Sequence, residues 1–241
     1  MPFQIHLFIF AKPKFKKMKA PLIFLAFLFV FSSCKKDDAP KNTPSTETYI
    51  NTNAGSTWTY RQTDMANNNS TSDYTITSTA NDTTIESRKY HVYTYSYGGN
   101  GYLGMDGHEY YQYDSIPITG GVNIQRLYLK DNAAKNDTWK QDFNLNIQEL
   151  PGTTIQLTVQ NKVEETGITK TVNGKDYSNV YHVSTSLSSA AIPSTALASS
   201  IDSYYAPGYG LIENTTAVEL NFLGIVKQVN FKTELMSADL K

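Results

Sequence analysis

An all-β fold is predicted for this 241-residue sequence by three observations. From Gly55 onward the chain is rich in Thr, Tyr, Val and Ile, which favour strands. Apolar and polar residues alternate with period two in short stretches. Gly, Asn and Asp turns bound those stretches, and Asn173-Gly174 is the strongest two-residue hairpin signal. About a dozen short strands with tight turns imply a largely antiparallel curved sheet, either an open half barrel or a sandwich.

Taken in order, the pattern places strands at 56–63, 73–79, 82–86, 89–97, 101–105, 108–114, 123–130, 138–145, 152–163, 167–173, 178–187, 210–219 and 225–236. Gly98-Gly99-Asn100-Gly101 and Asp106-Gly107 read as turns between neighbouring strands. Ala206-Pro207-Gly208 is a turn because Pro fixes φ and Gly accepts positive φ, so Gly210 starts the next strand. Only 188–203 lacks alternation; it is expected to be a loop with one short helix. Trp58 and Trp139 begin strands and are expected in the core. Three matches in the same order, at slowly growing offsets of 81, 91 and 94 residues, suggest two β-meander repeats: Trp58 with Trp139, Tyr90-His91-Val92 with Tyr181-His182-Val183, and Tyr110-Tyr111 with Tyr204-Tyr205.

The N-terminus is different. The formal net charge of −1 conceals five lysines and no acid in the first 34 residues, which leaves 16 basic and 22 acidic residues, net −6, for the rest. The ten-residue apolar run Leu22–Phe31 is too short to span a membrane, which takes about 20 residues, but suits a signal-peptide core. Phe31-Ser32-Ser33-Cys34 resembles a bacterial lipobox. That resemblance makes Cys34 the lipidated mature N-terminus, held by acyl chains worth about 0.8 kcal/mol per buried methylene. The segment 18–33 is then the signal peptide and 1–17 an upstream extension, with Met18 the alternative start. Lys35-Lys36-Asp37-Asp38 resembles the export tags of Bacteroidetes-type surface lipoproteins, which implies the outer membrane facing the exterior. Residues 34–53 are Pro-, Ser- and Thr-rich and read as a flexible tether before a single domain, 54–241. From Cys34 to Gly55 the chain can extend roughly 70 Å at about 3.3 Å per residue.

Composition excludes several classes. One cysteine rules out an intramolecular disulfide and Cys-cluster metal sites, and near-neutral charge argues against nucleic acid. No zinc-protease spacing, nucleophile elbow, phosphate loop or Asp-x-Asp calcium loop is present, so neither metal nor cofactor is expected. The suggestive feature is aromatic. On 89–97, His91, Tyr93, Tyr95 and Tyr97 share one face, and on 109–114 Tyr111 and Tyr113 share another. These six form the candidate ligand face, a platform for sugar rings or an apolar molecule. The plainer alternative is that tyrosine simply covers half-buried sheet. Asp82-Thr83-Thr84 and Asp114-Ser115-Ile116 resemble glycosylation sites on exported proteins of the same bacteria.

Gly55-Ser-Thr-Trp58-Thr-Tyr60, Asp137-Thr138-Trp139, Val172–Val180 and Tyr204-Tyr-Ala-Pro-Gly-Tyr-Gly-Leu211 together resemble a recurrent class of uncharacterised Bacteroidetes lipoproteins, with Asn136 where glycine is expected. The resemblance implies an all-β envelope domain and no reaction. Three readings follow. The first is a non-enzymatic, lipid-anchored surface module that binds a glycan or an envelope partner. The second is a half-barrel carrier of an apolar molecule, with 188–203 as its lid. The third is a surface hydrolase, which requires Asp106, His108, Glu109, Asp114 and His182 to converge.

Overall fold

The computed structural model describes residues 48–115, 122–146 and 153–241, which form one compact unit. Cys34, the signal segment and most of the tether lie outside the described residues. Twelve antiparallel strands form one sheet, and among the described residues there is no helix. The strands are β1 (Thr57–Asp64), β2 (Ser70–Ile85), β3 (Arg88–Tyr95), β4 (Asn100–Asp106), β5 (Glu109–Ser115) and β6 (Asn123–Lys130), then β7 (Thr138–Asn146), β8 (Thr154–Val172), β9 (Lys175–Ser188), β10 (Leu197–Ala206), β11 (Gly210–Phe222) and β12 (Ile225–Asp239). Their spatial order is β6-β5-β4-β3-β2-β1-β12-β11-β10-β9-β8-β7. Each six-strand half is a meander of hairpins, and the halves are joined by the β1–β12 ladder.

The sheet rolls into a nearly closed barrel. Its free edges, β6 and β7, share no backbone ladder, yet they meet. Side chains bridge them. The Trp139 indole N–H donates to the Leu127 carbonyl at 2.9 Å, and the Leu127 N–H donates to Gln141 Oε1 at 2.6 Å. Gln141 Nε2 and Asn161 Nδ2 donate to the Gln125 and Leu127 carbonyls, each at 3.3 Å. Trp139, half-buried against the core, thus also fastens a seam.

Alternation fixes which face is inside. On β8, Ile155, Leu157 and Val159 are buried while Gln156 and Gln160 are exposed. Lys140 and Asp142 are exposed on β7 in the same way. An apolar interior under a polar outer face is the reverse of a membrane-spanning barrel, whose outward band is apolar. One end of the interior is aliphatic, built from Leu157, Val159, Leu187, Leu197, Val218 and Leu220. The rest is largely aromatic.

Several expectations hold in detail. β6 has the expected bounds, 123–130. Asn173 and Gly174 (φ 49 and 76) form the two-residue turn between Val172 and Lys175. Asn136 takes φ 73, a left-handed backbone that asparagine tolerates where glycine was expected.

Others are corrected. Stretches 73–79 and 82–86 are one strand, β2, interrupted by a register shift between Ser78 and Asp82. Stretches 152–163 and 167–173 are likewise one strand, β8, with shifts at Val163/Glu165, Glu165/Ile168 and Ile168/Lys170. Segment 188–203 is neither a helix-bearing loop nor a lid. Its second part is β10, paired with β9 and β11, and its turn buries Ile192 in the aliphatic end. Ser and Ala at ten of its sixteen positions erase the apolar signal. Residues 48–53, expected in the tether, pack into the barrel: Tyr49 and Ile50 are buried, and the Gly208 N–H donates to the Thr48 carbonyl at 2.8 Å.

The repeat has a mixed outcome. Trp58 and Trp139 stand second in the first strand of each half, and both Tyr-His-Val triplets lie in the third strand. Tyr110-Tyr111 is in the fifth strand of its half but Tyr204-Tyr205 in the fourth. Tyr181 and Val183 pack inside with Tyr110, whereas in the first half it is Tyr93, two residues after His91, that packs inside. The triplets therefore present opposite faces.

The seam has a measurable weight. Replacing Gln141 by Ala removes two of its bridges and leaves the Leu127 N–H without its partner. We expect a loss of about 1–3 kcal/mol, read as a fall in thermal midpoint of several degrees by circular dichroism.

Candidate functional site

Twelve strands enclose more space than the eight whose side chains just fill a barrel. Tyrosines occupy much of it, and a cavity of about 220 Å³ remains. β1 contributes Trp58 and Tyr60, β2 Tyr74, and β3 Tyr93 and Tyr95, with Tyr97 at the rim. Tyr128 of β6 and Tyr205 of β10 wall the far side, and their rings lie 5.2 Å apart. Tyr60 stacks on Tyr74 (5.6 Å, 23°), Tyr74 meets Tyr97 edge-on (5.7 Å), and Tyr97 stacks on Tyr95 (5.1 Å, 14°). The run of rings leads from a rim residue that is 70% exposed to a buried floor.

The strap 48–53 completes the wall. Ile50 and Asn51 line the cavity, and the Tyr93 hydroxyl donates to the Asn51 carbonyl at 2.8 Å. The Tyr49 hydroxyl donates to the Asn179 carbonyl at 2.7 Å, and its N–H to the Tyr110 oxygen at 3.3 Å. Tyr49 and Ile50 follow a Thr- and Pro-rich stretch without period, so no local pattern marks their role.

The lining carries no charged side chain. Burial, with neighbouring tyrosines, pushes Tyr95 up to about 12. Tyr60, Tyr74 and Tyr93 are raised further, again chiefly by burial. The hydroxyls are therefore neutral hydrogen-bonding groups at physiological pH. One donor has no partner: the Trp58 indole N–H is buried without an acceptor, in a residue 4% exposed that lines the cavity. A buried N–H left unpaired costs about 1–3 kcal/mol.

The six residues of the candidate ligand face separate. Tyr93, Tyr95 and Tyr97 line the cavity together. Tyr111 is buried outside it, against Tyr90 and Leu127, with the Arg88 guanidinium 3.3 Å from its ring centre and its hydroxyl bonded to Glu109. Tyr113 contacts the same cluster and borders a side pocket. Period two fixes which residues share a face within a strand, but β4 lies between β3 and β5, and only topology sets their relative phase.

His91 lies at the other end of Tyr93's face, in a hydrogen-bonded chain with no sequence signature. Its Nε2 is 2.8 Å from Ser78 Oγ, its Nδ1 is 2.8 Å from Asp82 Oδ1, and Lys89 Nζ is 2.7 Å from the same carboxylate. The Lys89 ammonium, then His91, hold the Asp82 carboxyl below its ordinary range. The connectivity is that of a Ser-His-Asp triad. However, Ser78 is 1% exposed, and its N–H is bonded to the Ser56 carbonyl at 2.9 Å. The chain spans the register shift between Ser78 and Asp82 and pins β2 to β3 where their ladder lapses.

The carboxylates and histidines weighed for hydrolysis do not converge. Asp106 faces Arg88 at 3.6 Å, His108 faces Asp131 at 2.5 Å, and Glu109 faces Lys130 at 2.7 Å. Asp114 is held by Arg126 through two bonds, at 2.9 and 2.7 Å, and His182 lies 2.9 Å from Asp202. Among the described residues, no group of His, Cys, Asp and Glu could hold a metal.

Raised tyrosine values carry a sign for stability. A group protonated more tightly when folded stabilises fully below its unfolded value and loses that effect as pH rises towards the folded one. Ultraviolet titration should show the cavity tyrosines ionising well above pH 10, together with unfolding, while Tyr→Phe at position 95 shifts the alkaline loss to higher pH.

No family model matches the chain, and no curated protein matches it. Two solved structures resemble it at low identity. A candidate lipoprotein from Parabacteroides distasonis ATCC 8503 is 11% identical, with 80% of this chain and 99% of that one covered and a TM-score of 0.44. A candidate exported protein with a YmcC-like fold from Bacteroides fragilis NCTC 9343 is 10% identical over the same shares, with a TM-score of 0.45.

Proposed function

We propose that this protein is a non-enzymatic envelope lipoprotein whose barrel binds a neutral, ring-bearing ligand, a sugar residue by preference. Cys34 anchors it, and the lysine–aspartate run after it directs display on the outer membrane, facing out. The observation that carries the binding reading is the uncharged, tyrosine-lined cavity. Flat aromatic walls seat the apolar face of a sugar ring, and the uncharged lining disfavours an ionic ligand.

A second reading, carriage of an acyl chain, is favoured by the same aromatic walls.

Titration calorimetry on the full chain, after a glycan-array screen, tests this. A neutral sugar should bind, and Tyr95→Ala should weaken it about tenfold, which corresponds to about 1.4 kcal/mol. Trp58→Phe, which removes part of the ring that lines the cavity, should weaken it several-fold. Binding of palmitate with no sugar retained would replace the first reading by the second. Independently, Cys34→Ala should move the protein from the membrane fraction to the soluble fraction.

A further inference from the structure

The barrel wall has a split. β4 pairs with β5 from Asp106↔Glu109 only as far as Leu103↔Gln112. Beyond that point β4 follows β3, with Tyr102 opposite Val92 and Asn100 opposite Thr94. β5 follows β6 instead, with Tyr113 opposite Gln125 and Ser115 opposite Asn123. The two strands diverge, and a pocket of about 310 Å³ lies between them.

Its lining is unusual for a sheet surface. Tyr95, Gly101 and Gln112 face the interior, since they also line the cavity, whereas Tyr102 and Tyr113 belong to the cluster on the outer face. The two pockets share Tyr95, Tyr97, Gly101 and Gln112, so they adjoin at the split. Gly101 makes room for the Tyr95 ring: a Cβ there would fall 2.7 Å from its hydroxyl oxygen. At the mouth of the side pocket Tyr97, Tyr102 and Tyr113 stand among Asn100, Asn123 and Asp114. Tyr102 and Tyr113 meet edge-on at 6.2 Å.

We propose that this split is a doorway for a linear, neutral oligosaccharide, with its terminal ring in the cavity and the following rings against the tyrosines of the mouth. The proposal rests on the sugar-binding reading above and adds a ligand that is a chain. Rings supply stacking surfaces at successive positions along the path, and the amides at the mouth supply hydrogen bonds to hydroxyls. An extended peptide would seek the diverging strand edges instead of the rings.

The test uses the full chain and length series of the neutral sugars that a glycan array retains. A trimer should bind at least tenfold more tightly than its monomer. Ser115→Trp, at an exposed mouth position, should bring the trimer down to monomer affinity and leave the monomer unchanged; Tyr113→Ala should act in the same direction. Equal affinity for monomer and trimer, or a trimer indifferent to Ser115→Trp, would overturn the doorway while leaving the cavity reading intact. Retention of an extended peptide that Ser115→Trp abolishes would overturn the oligosaccharide. If no sugar of any length is retained, the cavity reading itself fails.

Discussion

A rolled sheet of twelve strands has a bore that aliphatic side chains do not fill, and much else in this molecule answers that constraint. At one end Leu, Ile and Val meet across the bore, helped by the inward turn at Ile192. Elsewhere the bore is taken up by tyrosine rings and by a strap of backbone drawn in from the N-terminal side. Rings reach further than branched chains, but each brings a hydroxyl that needs a partner. Tyr60 finds the Leu211 carbonyl at 2.7 Å, and Tyr181 finds the Asp131 carbonyl at 2.5 Å. The strap supplies further acceptors. The aromatic filling and the docked strap are thus one solution, since each satisfies the polar groups of the other.

The same filling defines what the interior can do. Rings on a wide curved wall leave gaps between them, and the cavity among them is uncharged and aromatic. Among its phenols, burial holds Tyr60 and Tyr93 protonated. Ion pairs hold charged groups, among them Arg61 with Asp73, Arg126 with Asp114 and Lys170 with Glu213. Even the Ser78–His91–Asp82 chain behaves as a stitch across an irregular ladder, its serine sealed from any reactant.

How legible this was depended on the period. Where pairing is regular, as around Asn173-Gly174, alternation and turn chemistry marked both bounds and register, and 123–130 kept its bounds despite an extra residue at Tyr128. Register shifts in β2 and β8 broke the alternation, so each strand read as two. β10 was hidden because its pairing comes from β9 and β11 rather than from its own Ser- and Ala-rich side chains. For the site, period two correctly put Tyr93 and Tyr95 on one face. It had no means of adding Tyr60, Tyr128 and Tyr205, whose approach is set by strand order, or the split beyond Leu103, which is a ladder that stops.

The β1–β12 ladder has a consequence for how the chain acquires its shape. Ten of the eleven ladders join strands that are neighbours in sequence, so each half can assemble from hairpins that close quickly. The eleventh joins Thr57 to Asp239, almost the whole domain apart, and sits in the middle of the finished sheet. Its closure carries the largest loop entropy, and it brings Asn53 onto Lys241 at 2.5 Å. Mid-sequence strands end up at the sheet's borders and the sequence extremes at its centre. Loop-closure entropy therefore favours the two half-sheets over the ladder that joins them, and the aromatic bore needs that ladder to be complete.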